Sequence, residues 1–170
     1  MGAYPRGRGG TRDTTKEHGA AVFADGHSES FGGAFENRLQ VPRFSAPDGS
    51  VTIHHNHPNG DSLSRADLFI MLERPELGRV DAHGHQGFWA SAERPGTAMA
   101  PEEAMATVED AAARARTMLT KAVQRGHIRA EAAQSGLWQV VMSRLLEQQG
   151  IIRYTVNSEA VLAMANQVLQ

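Results

Sequence analysis

Residues 50–75 commit this chain to a strand, a sharp turn and a helix in close succession. Ser50-Val51-Thr52-Ile53-His54-His55 is rich in β-branched side chains. Such residues suit the pleated, half-buried surface of a central strand. Pro58-Asn59-Gly60 breaks the strand. Ser64 is a good helix N-cap, and Asp67 stands three residues on, in capping-box position. Leu68, Ile70, Met71 and Leu72 carry the helix to about Arg74, where Pro75 stops it.

The flanking segments supply the rest of a mixed α+β fold. Gly19 to Ala24 is a short apolar strand closed by Asp25-Gly26, a hairpin turn signal. A second short strand follows near His27 to Ser30. Asn37 to Pro42 alternates Leu39 and Val41 against polar neighbours and reads as another strand, and Pro47-Asp48-Gly49 is a turn. Arg79 to His83 and Gly87 to Ala92 read as two strands joined at Gly84. Pro101-Glu102-Glu103 opens a helix, with Pro in its first turn and acids facing the positive end of its dipole. It runs to about Arg125, and Gly126 ends it. A second long helix is expected from Ala130 to Gln149, with Leu137, Val140, Val141, Leu145 and Leu146 on one face. Ile151 to Val156 is strand-like, and Ser158 can cap a final helix to Leu169. Trp138 and Met142 read as core residues of the helical half. The organisation expected is a flexible linker over 1–13, a core domain over 14–95, and a helical C-terminal extension over 96–170 that could dock a partner protein.

Bulk properties exclude several classes. There are 17 basic against 19 acidic residues, a formal net charge of -2. That balance disfavours a surface that grips phosphates, so no nucleic-acid partner is expected. The basic stretch Arg6 to Arg12 is Gly-rich and reads as tail. No apolar run is long enough to span a membrane, and Met1 to Lys16 lacks the apolar stretch of a secretory signal. No Cys is present, so no disulfide framework can form. A cytoplasmic location, or export without a cleaved signal peptide, fits these features.

Chemistry is concentrated in His55-Asn56-His57-Pro58 and Ser64-Arg65-Ala66-Asp67. Alternate side chains of a strand share a face, so His55 and His57 point the same way. The turn and helix return Asp67 toward the same point. Two imidazoles and a carboxylate make a three-ligand N/N/O cradle with an open fourth position, the arrangement of a catalytic zinc; a structural zinc is usually closed by four ligands and favours Cys. Hydrolysis would also need a general base, usually a carboxylate near the zinc-bound water. Glu17, Glu29 and Glu36 are the candidates, with Glu17 preferred and Glu29 next. Ser64 is placed to steady an oxyanion. The isolated histidines His18, His27, His54 and His127 read as partly exposed side chains without a role. His83 and His85 form a second His-x-His, but no carboxylate motif follows them.

The pattern Glu, His-x-His-Pro, Ser-x-x-Asp resembles the metal motif of the JAB/JAMM (MPN-type) zinc metalloproteases. The wording around His55 to Asp67 is closest to the bacterial and phage-type branch, including RadC-like and toxin-associated members. The resemblance runs more weakly from Glu17 to Ala92 and does not cover the helical tail. It implies a JAB/MPN-like mixed sheet flanked by helices, Zn²⁺ held by His55, His57 and Asp67, Glu17 as the base on the zinc water, and Ser64 at the oxyanion. It further implies hydrolysis of an amide bond in a protein or peptide, including isopeptide conjugates of ubiquitin-like modifiers, and a bacterial effector or phage-associated setting. Two departures stand out. The stretch between Glu17 and His55 lacks the helix that usually precedes the His strand. The interval from His57 to Ser64 is a residue shorter than in the eukaryotic deubiquitinases. Two other functions remain open at this point: a non-catalytic scaffold of the same fold, and a metal-dependent nuclease.

Overall fold

In a computed structural model, residues 16–32, 39–84 and 87–170 are described. The linker expected over 1–13, Glu36 and His85 lie outside them. The described residues form a six-stranded sheet in the order β2-β1-β3-β4-β5-β6, with helices packed against it. The mixed α+β class expected from the sequence is therefore observed. The strands are β1 (His18–Phe23), β2 (Ser28–Gly32), β3 (Val51–His57), β4 (Leu77–Gly84), β5 (Trp89–Glu93) and β6 (Arg153–Val156). The helices are α1 (Arg65–Glu73), α2 (Pro101–Gln124), α3 (Ala130–Gln134), α4 (Leu137–Gln148) and α5 (Glu159–Val168).

The pair β3 and β4 is parallel and is joined by α1; the other neighbours are antiparallel. A parallel pair needs a crossover rather than a hairpin, and α1 supplies it. Ala21, Ile53, Val80, Ala82, Ala92 and Tyr154 on the sheet share one apolar cluster with Leu68, Met71 and Leu72 of α1 and Val141, Leu145 and Leu146 of α4. α2 adds an alanine-rich stripe, including Ala104, Val108, Ala111, Ala115 and Leu119, to the same cluster. Its small side chains let it lie close along α1 and α4. The segment after residue 95, read from the sequence as an extension, thus shares this cluster and lengthens the sheet through β6.

Two local expectations are corrected. Residues 39–42 carry no strand, and Asn37 and Arg38 lie outside the described residues. Arg74 Nη1 donates to the carbonyls of Val41 and Pro42, at 2.9 and 2.8 Å. Those carbonyls are therefore held by a side chain rather than a ladder, and Pro42 has no N–H to offer one. The helix expected over 130–149 is broken into α3 and α4 at Gly136, which has φ +78°. A Cβ there would stand 2.6 Å from Asp61 Oδ1, so both the backbone and the close approach call for glycine.

Arg94, which no sequence pattern distinguishes, ties the end of α1 to the sheet. Its guanidinium donates to the carbonyls of Pro75, Leu77 and Gly96, each at 2.9 Å. Replacement by Met would keep the bulk of the stem and take a charged donor from three carbonyls, among them that of buried Leu77. Arg94→Met is expected to lower unfolding free energy by about 1.5–3 kcal/mol, the range for hydrogen bonds to a charged group. Urea denaturation checks this.

Candidate metal centre

The strand-turn-helix unit delivers its ligands to one point. His55 and His57 alternate on the buried face of β3, at 1% and 8% exposure. Asp67 lies in the first turn of α1. Ser64 caps that helix through its side-chain oxygen, which accepts from the Asp67 N–H at 3.2 Å, while the Ser64 N–H donates to Asp67 Oδ2 at 2.7 Å. This reciprocal capping box fixes where the carboxylate points. His55 Nε2 and His57 Nε2 stand 2.7 Å apart. Asp67 Oδ1 is 3.1 Å from His55 Nε2, and Asp67 Oδ2 is 3.4 Å from His57 Nε2.

Two ring nitrogens that close need a hydrogen or a cation between them, because two facing lone pairs would repel. Without a metal that place is taken by a proton. Burial alone would lower the His57 pKa, but the hydrogen bond and charge of Asp67 overcome it and push His57 up to about 9. Burial would likewise raise the Asp67 pKa, but the two imidazoles outweigh it and hold Asp67 well below the ordinary carboxylate value. A divalent cation could take the place of that proton. The donor set fits one: His55, His57 and Asp67 offer ligand atoms that all lie within 4.8 Å of one another. His57 Nδ1 is 3.0 Å from the Asp61 carbonyl. Donation there leaves the Nε2 lone pair to the cation, the usual outer support of a metal-binding imidazole. Among the described residues, His55 Nδ1 is buried and has no hydrogen-bond partner.

Glu17 joins the site from the residue just before β1. Gly19 pairs with His55 across the β1–β3 ladder, so alternation places Glu17, two residues earlier, on the same face. Asn56, the residue between the two histidines, fixes this position. It accepts from the His18 N–H at 2.6 Å and donates to the Lys16 carbonyl at 3.0 Å, gripping the backbone on both sides of Glu17. No motif in the sequence marks Asn56 for this task; only the β1–β3 pairing reveals it. Burial raises the Glu17 pKa, opposed by the charges of His57 and His55. Glu29, the second candidate, lies elsewhere: it is exposed on β2, with Oε1 3.7 Å from His27 Nε2.

The site opens into a cleft of about 640 Å³ whose lining includes Glu17, Leu39, Val41, Ser64, Ile70 and Gln139. Its floor loop, 58–64, is held from two sides. Gly84 at the end of β4 meets Gly60 so closely that a Cβ would stand 2.9 Å from Gly60 Cα. Ser62 Oγ and Tyr154 Oη are 2.8 Å apart, joining the loop to β6. Burial drives the Tyr154 hydroxyl up to about 12, so it stays protonated and able to hold this bond.

Compared with known protein families, functionally characterised proteins and solved structures, the chain finds no match. Among the described residues no helix is long and apolar enough to cross a membrane.

Proposed function

We propose that this chain is a zinc-dependent amide hydrolase of the JAB/JAMM kind, acting on a protein or peptide. One observation carries the reading: His55, His57 and Asp67 converge from a strand and the following helix at the foot of an open cleft, with Glu17 on its wall. Zinc is favoured over harder cations because two of the three ligands are imidazoles.

His55 Nε2, His57 Nε2 and Asp67 would hold the ion. A zinc ion bound there supplies a Lewis acid, which lowers the pKa of a bound water to about 7 and polarises a carbonyl oxygen. Glu17 accepts a proton of the attacking water as the C–O bond forms and gives it to the amine nitrogen, which then leaves as the C–N bond breaks. Burial moves the Glu17 pKa upward from the ordinary carboxylate value, the direction that favours a group which must both take and give a proton. Ser64 Oγ spends a lone pair on the Asp67 N–H. A hydroxyl has one donor as well as two acceptor sites, so its O–H remains to bond the developing oxyanion. Leu39, Val41 and Ile70 give the cleft apolar footing for substrate side chains, and the volume suits a short extended segment.

The test uses the full chain, stripped of metal and then reloaded, against a panel of peptide and isopeptide-linked substrates. Cleavage that disappears on chelation and returns with about one equivalent of zinc is the expected result. Cleavage that persists in metal-free protein would overturn the proposal.

A further inference from the structure

A second cluster sits on the other face of the same strand. His54 alternates with His55 and His57 along β3, so it points away from the apolar cluster. The parallel register pairs His54 with Asp81 and Asn56 with His83, which brings His54, Asp81 and His83 together. His54 Nδ1 is 3.3 Å from His83 Nε2 and 3.3 Å from Asp81 Oδ2. The two rings lie nearly face to face, with centroids 5.6 Å apart and planes at 26°. Asp81 is 3% exposed and His54 and His83 are half-buried. From the sequence His54 reads as a partly exposed side chain and no carboxylate follows His83; the carboxylate that joins them, Asp81, precedes His83 on the same strand.

We propose that His54, Asp81 and His83 form a second divalent-cation site, taking zinc or a similar transition metal and tying β3 to β4. The spacing is the first argument. Two nitrogens each about 2.0–2.1 Å from a tetrahedral zinc stand roughly 3.3 Å apart. The His54–His83 and His54–Asp81 separations both match that edge, and the three ligand atoms all lie within 4.8 Å of one another. Charge is the second argument. Arg79 Nε donates to Asp81 Oδ1 at 2.8 Å, which orients the carboxylate and directs Oδ2 toward the imidazoles. A carboxylate steadied from outside in this way is how metal ligands are commonly held. This site shares no ligand with the one formed by His55, His57 and Asp67, and it stands or falls separately.

Zinc per chain decides the matter, measured by elemental mass spectrometry on untagged full-length protein after loosely bound metal is removed. Wild type is expected to hold two equivalents. His83→Ala and the near-isosteric Asp81→Asn should each hold one, as should His57→Ala, and His57→Ala with His83→Ala should hold none. Anomalous scattering from zinc-grown crystals of wild type requires no variant. It should show a peak bonded by His54 Nδ1, His83 Nε2 and Asp81 Oδ2. A wild-type count of one that His83→Ala leaves unchanged, or crystals with zinc at His55 and His57 but none at His54, would overturn the inference while leaving the hydrolase reading intact. Zinc at His54 alone would do the reverse.

Discussion

Glu17→Gln is expected to lower kcat for amide hydrolysis by about 10²–10⁴-fold, the usual contribution of a positioned acid–base group. KM should change little, because Gln keeps the shape and hydrogen bonding of the side chain and loses only the proton transfer. Metal content and thermal midpoint should match wild type, since Glu17 is not among the three ligands grouped at the cation point. That combination separates a catalytic group from a structural one. A Glu17→Gln protein that retains wild-type kcat would remove the assigned base and leave a metal-holding scaffold. Asn56→Ala makes a useful companion. It frees the backbone at Lys16 and His18 without touching the carboxylate, so part of the loss in kcat should appear although Glu17 is present.

Asp67→Ala is the second large expectation, and it acts on both stability and binding. The substitution removes a ligand, the partner of two buried imidazoles and one arm of the capping box. Breaking a buried charge pair by deleting one member costs about 3–5 kcal/mol, which for a chain of this size is a fall on the order of 10 °C in thermal midpoint. Zinc affinity should drop by more than about 100-fold, the upper end of what losing even an outer support of a metal ligand costs. Asp67→Asn retains an oxygen to accept the Ser64 N–H, so it recovers the cap without the charge. Differential scanning fluorimetry with and without zinc reads both effects, and a metal-free midpoint equal to wild type in both variants would contradict the account.

The same pair sets the pH dependence of the metal-free protein. The His57 pKa is raised, to about 9 from 6.5. Its stabilising contribution is therefore full below about 6.5 and is lost as pH rises through 9. The Asp67 pKa is depressed from 3.8, so its contribution is present above that value and is lost as pH falls below it. Metal must displace the His57 proton, so zinc affinity should climb with pH over the interval in which metal-free stability declines.

What the sequence made legible was local. Strand alternation put His55 and His57 on one face, and the Ser64–Asp67 cap set the third ligand, because each depends only on neighbours within a few residues. The choice between Glu17 and Glu29 was not local. It turned on the β1–β3 register, which places Gly19 opposite His55 and sends Glu29 to the outer strand. The His54, Asp81 and His83 group was hidden for the same reason: it exists only through the pairing of two parallel strands separated by a helix. Residues 39–42 had the alternation of a strand, yet Arg74 took two of their carbonyls. Nothing in a pattern of apolar and polar residues distinguishes those outcomes.

The bond from Ser62 to Tyr154 crosses 92 positions of chain. A ribosome therefore makes the histidines, the aspartate and the turn between them long before it makes the hydroxyl that steadies that turn. Until β6 has emerged and docked, the nascent cradle lacks one of its two props. Its grip on an ion should sharpen only late in synthesis, and a product ending before β6 would carry every ligand with a looser hold.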